Sequence, residues 1–467
     1  MSAKRSVTGK HGHRQRGAVL MVMLVIMIVG IAAILVNSLT SSKVKSARQA
    51  TTSSALAQAK DALIGFAITY GDTHSTSNQH GYLPCPDKAG GNPEGSAEPS
   101  CGAHDISAIG RLPWATLDLS AFRDGDGECL WYAVSGTYKD NSKTTGLWNW
   151  DTNGQFEVYS SSGTLLSDKV VAVIFAPGPP LSGQNQIRTA DGTAPVCGGN
   201  YTASNYLDSD AAIGANNAAL STPPAANSVS QFFTAGATPG INDQMIFITR
   251  QDIWNAIQKR ADFQNSLKLL TQRVAECLAN YGKNNAGGWW PQNKSLPRPA
   301  PLLLSDYSDI TKYDDTASLY AGRVPYDVPT STLITHNAYT RLMTTATCPA
   351  GWATVDPWWN NWKDHLFYAI GDEFQPAWST TQACGPCLKI NGAGKYAAVV
   401  MFAGQRLSAL NQTRADKSIV THYLESNNAS NFPGASGNEN YQTAPASSTF
   451  DDVLYCIKED LSVVPCP

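Results

Sequence analysis

Charge is scarce in this sequence: Asp, Glu, Lys and Arg make up 15 % of 467 residues and leave a formal net charge of −3. So weakly charged a body has no broad positive field for a phosphate backbone, and its densest basic run, Lys4 to Arg16, adjoins an apolar segment. No nucleic-acid partner is expected. An HExxH zinc motif, a Walker loop, a dinucleotide fingerprint and a nucleophile elbow are all missing from any suitable setting. Their absence removes the commonest hydrolase, NTPase and oxidoreductase designs, and the chain is expected not to be an enzyme. His74, His80, His104, His336, His365 and His422 scatter without metal-ligand spacing. Residues 18–36 contain no charge, and no proline falls between 18 and 71.

Those last two absences define the amino terminus. Ala18 to Val36 reads AVLMVMLVIMIVGIAAILV, which at about 1.5 Å per helical residue nearly spans a hydrocarbon core of about 30 Å. Lys4, Arg5, Lys10, Arg14 and Arg16 precede it, and positive flanks stay cytoplasmic. The expected topology is a single pass of the inner membrane, with the amino terminus cytoplasmic and the body periplasmic. Val44, Ala47, Leu56, Ala59, Leu63, Ala67 and Tyr70 recur at three- and four-residue steps, predicting that the helix runs on to about Tyr70 with an amphipathic second half.

Arg14-Gln15-Arg16-Gly17 followed by the apolar run resembles the class III signal of type IV pilins and type II secretion pseudopilins. The resemblance implies cutting by a prepilin peptidase between Gly17 and Ala18, methylation of the new terminus at Ala18, and assembly with other pilin or pseudopilin subunits into a surface filament. Most members carry Glu at the fifth mature position, where it pairs with a neighbour's terminal amine inside an apolar bundle. Here that position is Val22. Tip-located minor subunits are the members that lack this acid, so the departure implies a minor or tip role. Pilus and secretion pseudopilus both stay open.

Blocks of the body recur in order. AKDALIGFAITYG at 59–71 matches LTQRVAECLANYG at 270–282, GRLPW at 110–114 matches GRVPY at 322–326, and ECLWYAVSG at 128–136 matches DHLFYAIGD at 364–372. VVAVIFAPG at 170–178 matches YAAVVMFAG at 396–404, with Asn185, Gln186 and Arg188 matching Asn411, Gln412 and Arg414. NYLDSD at 205–210 resembles HYLESN at 422–427, and DQMIFI at 243–248 resembles DDVLYC at 451–456. Six blocks in register predict an internal duplication. The expected fold is α+β: a long N-terminal transmembrane and amphipathic helix, then two tandem duplicated pilin-like heads with antiparallel sheets. The expected divisions are a leader (1–17), a transmembrane segment (18–36), the periplasmic half of the helix (37–72), a first head (73–260) and a second head (261–467).

Ten cysteines in an exported chain point to disulfides. Cys85, Cys101, Cys129 and Cys197 lie in the first half, and Cys277, Cys348, Cys384, Cys387, Cys456 and Cys466 in the second, so pairing within halves is allowed. Cys384-Gly385-Pro386-Cys387 has thioredoxin-like spacing, but the glycines and strand pattern that follow favour a structural bridge over an envelope redox enzyme. Asp124, Asp126 and Glu128 alternate in a glycine turn whose spacing suits calcium, or a plain polar turn without metal; no other cofactor is expected. Asp356, Asn360 and Asp364 precede the equivalent strand of the second copy, where Asp356-Pro357-Trp358-Trp359-Asn360 resembles a calcium-binding segment of major pseudopilins, with Trp359 in place of its glycine. Tryptophans cluster at 148 and 150, 289 and 290, and 358, 359 and 362. If exposed, they would support the alternative of a membrane-anchored surface adhesin; if buried, they are core.

Overall fold

The computed structural model describes residues 16–74, 79–89, 91–181, 187–190, 192–236, 240–284, 295–302, 319–325, 327–329, 339–375, 384–385 and 387–467. Helix α1 runs from Arg16 to Thr73 without a break, as an uninterrupted stretch free of proline allows. Its side chains from Ser42 to Thr51 are exposed, and among the described side chains Thr52 is the first to be buried. Beyond it Ala55, Leu56, Ala59, Leu63, Ala67 and Tyr70 form the buried stripe, and a fully buried leucine of this kind contributes about 1.5–3 kcal/mol. The last turn is closed from outside: Gly81 donates its amide to the Ala67 carbonyl, and Arg260 donates to that of Ile68.

After α1 the chain forms β1 (Ala108–Arg111), β2 (Trp131–Val134), β3 (Phe156–Ser160), β4 (Leu165–Val170), β5 (Ala172–Ala176), β6 (Ser209–Asp210), β7 (Ala215–Asn216), β8 (Ser230–Thr234) and β9 (Gln244–Ile248). Helices α2 (Arg250–Ile257) and α3 (Ala261–Asn284) follow, then β10 (Ala321–Arg323), β11 (Asp327–Pro329), β12 (Tyr339–Arg341), α4 (Asp356–Trp362) and β13 (Leu366–Ile370). The chain closes with β14 (Leu388–Ile390), β15 (Ala393–Phe402), α5 (Ser426–Ser430), β16 (Asn440–Tyr441), β17 (Val453–Lys458) and β18 (Val463–Pro465).

Two antiparallel frameworks dominate this mixed α+β architecture. In the first, strands lie in the order β1-β2-β5-β9; in the second, β10-β13-β15-β17, with β14 and β16 added beyond β15 and β18 beyond β17. The registers coincide. Gly110 faces Tyr132 and Trp131 faces Phe175 in one; Gly322 faces Tyr368 and Phe367 faces Met401 in the other. Phe175 faces Met245 as Met401 faces Leu454. Gly110 and Gly322 share a reason to lack a side chain: a Cβ would stand 2.4 Å from the Asp87 carbonyl oxygen in the first and 2.1 Å from that of Ala300 in the second.

Each framework has a core of its own on one face, around Trp131 and Phe175 in the first and around Phe367 and Met401 in the second, but on the other face they share one. One apolar cluster runs from Leu56 and Leu63 of α1 through Ile174 and Ile248 to Leu270 and Leu278 of α3 and on to Val400 and Ile457. At the junction Trp150 packs edge-on against Trp362 with ring centroids 4.5 Å apart, and Trp254 and Phe263 close the layer. A further three-stranded sheet, β4-β3-β8, covers the far face of the first framework.

Among the described residues, no helix is long and apolar enough to cross a membrane. The stretch 18–36, where the sequence places a span, belongs to α1, and its side chains apart from Met27 lie outside the described residues.

Candidate functional site

The feature most readily turned to function is the bare length of α1 and the collar from which it leaves the body. Residues 16–51 of the helix measure about 54 Å at 1.5 Å per residue, and the side chains described in that stretch, Met27 and those from Ser42 to Thr51, are exposed. Gly17, Ala18 and Val22 lie on its first turns, with their side chains outside the described residues. Where the rod enters the body, the turn carrying Asp124, Asp126 and Glu128 is pressed against it. Gly125 donates its amide to Thr52 Oγ1, and a Cβ there would stand 2.2 Å from the Arg48 carbonyl oxygen, so only glycine allows the approach. Arg48 pairs with Asp126 at 2.7 Å.

This collar accounts for the three carboxylates differently from calcium binding. Buried Asp124 accepts from the amides of Asp126 and Glu128 through Oδ1 and from that of Gly178 through Oδ2. Asp126 faces Arg48, while Glu128 faces Arg188 at 2.9 Å. Each carboxylate turns to a different donor of the protein, and the trio is not among the described groups whose ligand atoms converge. Before β13, Asp356 accepts from the Trp352 indole and Asp364 from Lys417; these do not converge either.

All ten cysteines are bridged, each within its own half: Cys85–Cys101, Cys129–Cys197, Cys277–Cys348, Cys384–Cys387 and Cys456–Cys466. After Cys387 the chain enters strand β14 directly, without the helix that activates a redox cysteine. The tryptophans correct the idea of an exposed aromatic patch. Trp148, Trp150, Trp358, Trp359 and Trp362 are all buried, because the two sheets and α3 meet over them. Trp289 and Trp290 lie outside the described residues, as do Asn185, Gln186 and His336.

Two arrangements escaped sequence reasoning. The first is a charged clamp at the junction. Asp151 meets Arg406 at 2.7 Å, Arg414 at 3.3 Å and His365 Nε2 at 3.2 Å. Burial pushes the Asp151 carboxyl up, but Arg414, His365 and Arg406 outweigh it and hold it below the usual carboxylate range. Burial, reinforced by Arg414, drives His365 well below the ordinary imidazole value. The ring is therefore neutral, its Nδ1 accepting from Arg414 and its Nε2 proton directed at Asp151. Nothing in the spacing of Asp151 announces this, since its partners lie more than two hundred residues away.

The second is a buried acid network present twice. Asp243 accepts from the Asp208 amide and from Asn217, while Asp208 accepts from the Asn242 amide. Asp452 likewise accepts from the Glu425 amide and from Asn428, and Glu425 from the Asp451 amide. Burial first, then the neighbouring acid, raises Asp243 and Asp452 well above the usual range, and raises Asp451 to about 7. The signal was in the sequence, since these acids sit in the NYLDSD/HYLESN and DQMIFI/DDVLYC blocks, but the structure shifts the second alignment by one residue, matching Met245 to Leu454 and Asp243 to Asp452.

Among the described residues, the groups whose ligand atoms converge are Glu425 with Asp451 and Asp452, and Asp72 with His80 and Asp262. Arg260 already bridges Asp72 and Asp262 in the latter. No protein-family model, no curated protein and no solved structure matches this chain.

Proposed function

We propose that this chain is a minor pilin-like or pseudopilin-like subunit, cut after Gly17 by a prepilin peptidase. It would be held in the inner membrane by residues 18–36 and carried to or near the tip of a type IV pilus or type II secretion filament. The observation that carries the reading is α1 itself: one unbroken helix whose carboxyl half is the spine of a folded body and which is exposed just before it, from Ser42 to Thr51. A rod exposed on every side from Ser42 to Thr51 has little use in an isolated globule and suits packing among like helices. The five disulfides fit an oxidising compartment outside the cytoplasm.

The repeated strand order and register support reading the body as two copies of one pilin-like head, the second resting on the first through α3 with no anchor of its own. Val22 in place of the usual acid supports a position with no neighbour above it to neutralise. Function on this reading lies in assembly and presentation, not turnover. Mass spectrometry of the mature chain made with a prepilin peptidase tests it: the expected amino terminus is methylated Ala18, and an intact Met1 under those conditions overturns the proposal.

A further inference from the structure

The two frameworks end differently at one edge. In the second, β17 is covered by β18, which runs antiparallel to it with Tyr455 facing Pro465 and Ile457 facing Val463. The pairing is extended by the Cys466 amide, which donates to the Leu454 carbonyl, and is locked by Cys456–Cys466. In the first, the equivalent strand β9 pairs, among the described residues, with β5 alone. The chain leaves it at Thr249, whose hydroxyl and backbone form a capping box with Asp252 and start α2.

Alternation along β9 fixes what its outer edge offers. The Ile248 carbonyl accepts from Val171 beside β5, so the backbone groups of Ile248 and Ile246 point inward and those of Phe247 and Met245 outward. At one end of that edge the Asp243 carbonyl accepts from the Ala235 amide, and at the other Lys60 caps the Phe247 carbonyl. Between these closures lie the amide and carbonyl of Met245 and the amide of Phe247. Met245 corresponds in register to Leu454, whose outward carbonyl in the second framework takes the Cys466 amide.

Beside this edge lies a groove of about 1080 Å³ between β9 and the collar end of α1, walled by Val44, Arg48, Thr52 and Leu56 and by Met245 and Ile246. Lys45 stands exposed on the same wall. An unpaired strand edge flanked by a partly apolar trough is the arrangement that takes up an extended peptide.

We propose that the outer edge of β9 is a docking site for an extended peptide strand of a partner protein, which adds antiparallel to β9 as β18 adds to β17. The strand would place aliphatic or β-branched residues at alternate positions toward Val44 and Leu56, with an acidic residue near Lys45. The groove stands next to the rod of α1, so an incoming strand would be held where the helix leaves the body. The proposal does not depend on the filament reading, since it rests on the edge alone.

Hydrogen exchange on the full chain in detergent is the first test. The Met245 and Phe247 amides should exchange freely while those of Ile246 and Ile248 are at least a hundredfold slower; equal protection means that a segment of this chain already covers the edge and overturns the proposal. A random twelve-residue phage-displayed peptide library is then panned on the full chain, with counter-selection on Met245→Pro. That substitution removes an outward donor and leaves the bonds to β5 in place. Enriched peptides should bind the unaltered chain at least tenfold more tightly than the variant, slow exchange at Met245 and Phe247, and lose binding when alternate peptide amides are N-methylated. N-methylation keeps the test decisive should the variant fold poorly. Peptides indifferent to N-methylation, or protecting residues elsewhere, overturn the proposal. Self-association of the unaltered chain that Met245→Pro abolishes would assign the edge to a second copy and overturn the partner strand.

Discussion

Set side by side, the two frameworks agree where backbone must meet backbone and differ where they meet the rest of the molecule. Buried Arg111 reaches the Gly198 and Asn200 carbonyls and lies over Tyr206, while buried Arg323 reaches those of Asp364 and Lys417 and lies over Tyr423. Arg188 donates to Gly178 and Asn205, and Arg414 to Gly404 and His422, at the matching positions. The divergences are peripheral: Asn242 against Asp451, an open edge against β18, a helix that leaves the body against one that stays within it. A repeated fold therefore keeps its buried donors and glycines, and frees its edges and helix ends for separate tasks.

The comparison breaks most forcefully at the junction. Asp151→Asn leaves Arg406 and Arg414 without their shared counter-charge, and removing one partner of a buried ion pair costs about 3–5 kcal/mol. Chemical denaturation should show that loss, and calorimetry should resolve two transitions where the parent gives one. Since Asp151 is held below the ordinary carboxylate range, its contribution is fully present above the unfolded value near 4 and is lost as pH falls through the folded value. The variant should accordingly be least distinguishable from the parent in strong acid.

Gly110→Ala and Gly322→Ala sharpen the equivalence. Each drives a methyl into a carbonyl oxygen that pairs in the sheet bridge, and each should cost about 1–3 kcal/mol by urea denaturation. Effects differing by more than about that range would argue that the two sites are not alike.

Asp451→Asn converts the second network to the side chain of the first. Burial and Glu425 raise Asp451 to about 7 in the folded chain, so between the unfolded value near 4 and about 7 the folded state binds the extra proton and stability declines as pH rises. The asparagine variant should gain on the parent by roughly 3–4 kcal/mol between pH 4 and pH 8, measured by urea denaturation at each pH. Asn242→Asp should do the reverse in the first framework.

The smallest effect is expected at the collar. Arg48→Ala removes an ion pair whose arginine is largely exposed, and should change the thermal midpoint by no more than about 1 kcal/mol would. Arg48 also walls the groove beside β9, so the same variant should alter peptide affinity more than stability, which a binding titration on folded protein would separate.

Much of this was legible residue by residue. Of the three- and four-residue spacing from Val44 to Tyr70, the part from Leu56 onward became the buried stripe, because a helix with one apolar face hides it against the body, while Val44 and Ala47 lie before the body begins and are exposed. The repeated GRLPW and GRVPY blocks foretold equivalent strands, because their glycine and arginine answer the same steric and hydrogen-bonding demands. The alternation of Asp124, Asp126 and Glu128 left calcium and a plain polar turn both open and did not show the collar, because spacing shows which carboxylates are neighbours but not which donors reach them. The tryptophan clusters left exposure open for the same reason: an indole reads alike on a surface and between two sheets.

The chain by itself thus determined the long helix and the repeated strand pattern, both consequences of local periodicity and of order along the backbone, and it allowed the disulfides to pair within halves without requiring it. Only the tertiary structure decided that the two frameworks share a core on one face, that Asp151 of the first is held by Arg406 and Arg414 of the second, and that among the described residues β9 has no strand on its outer edge. Those outcomes depend on contacts between residues far apart in sequence, and no local pattern encodes which distant donor, ring or strand will arrive.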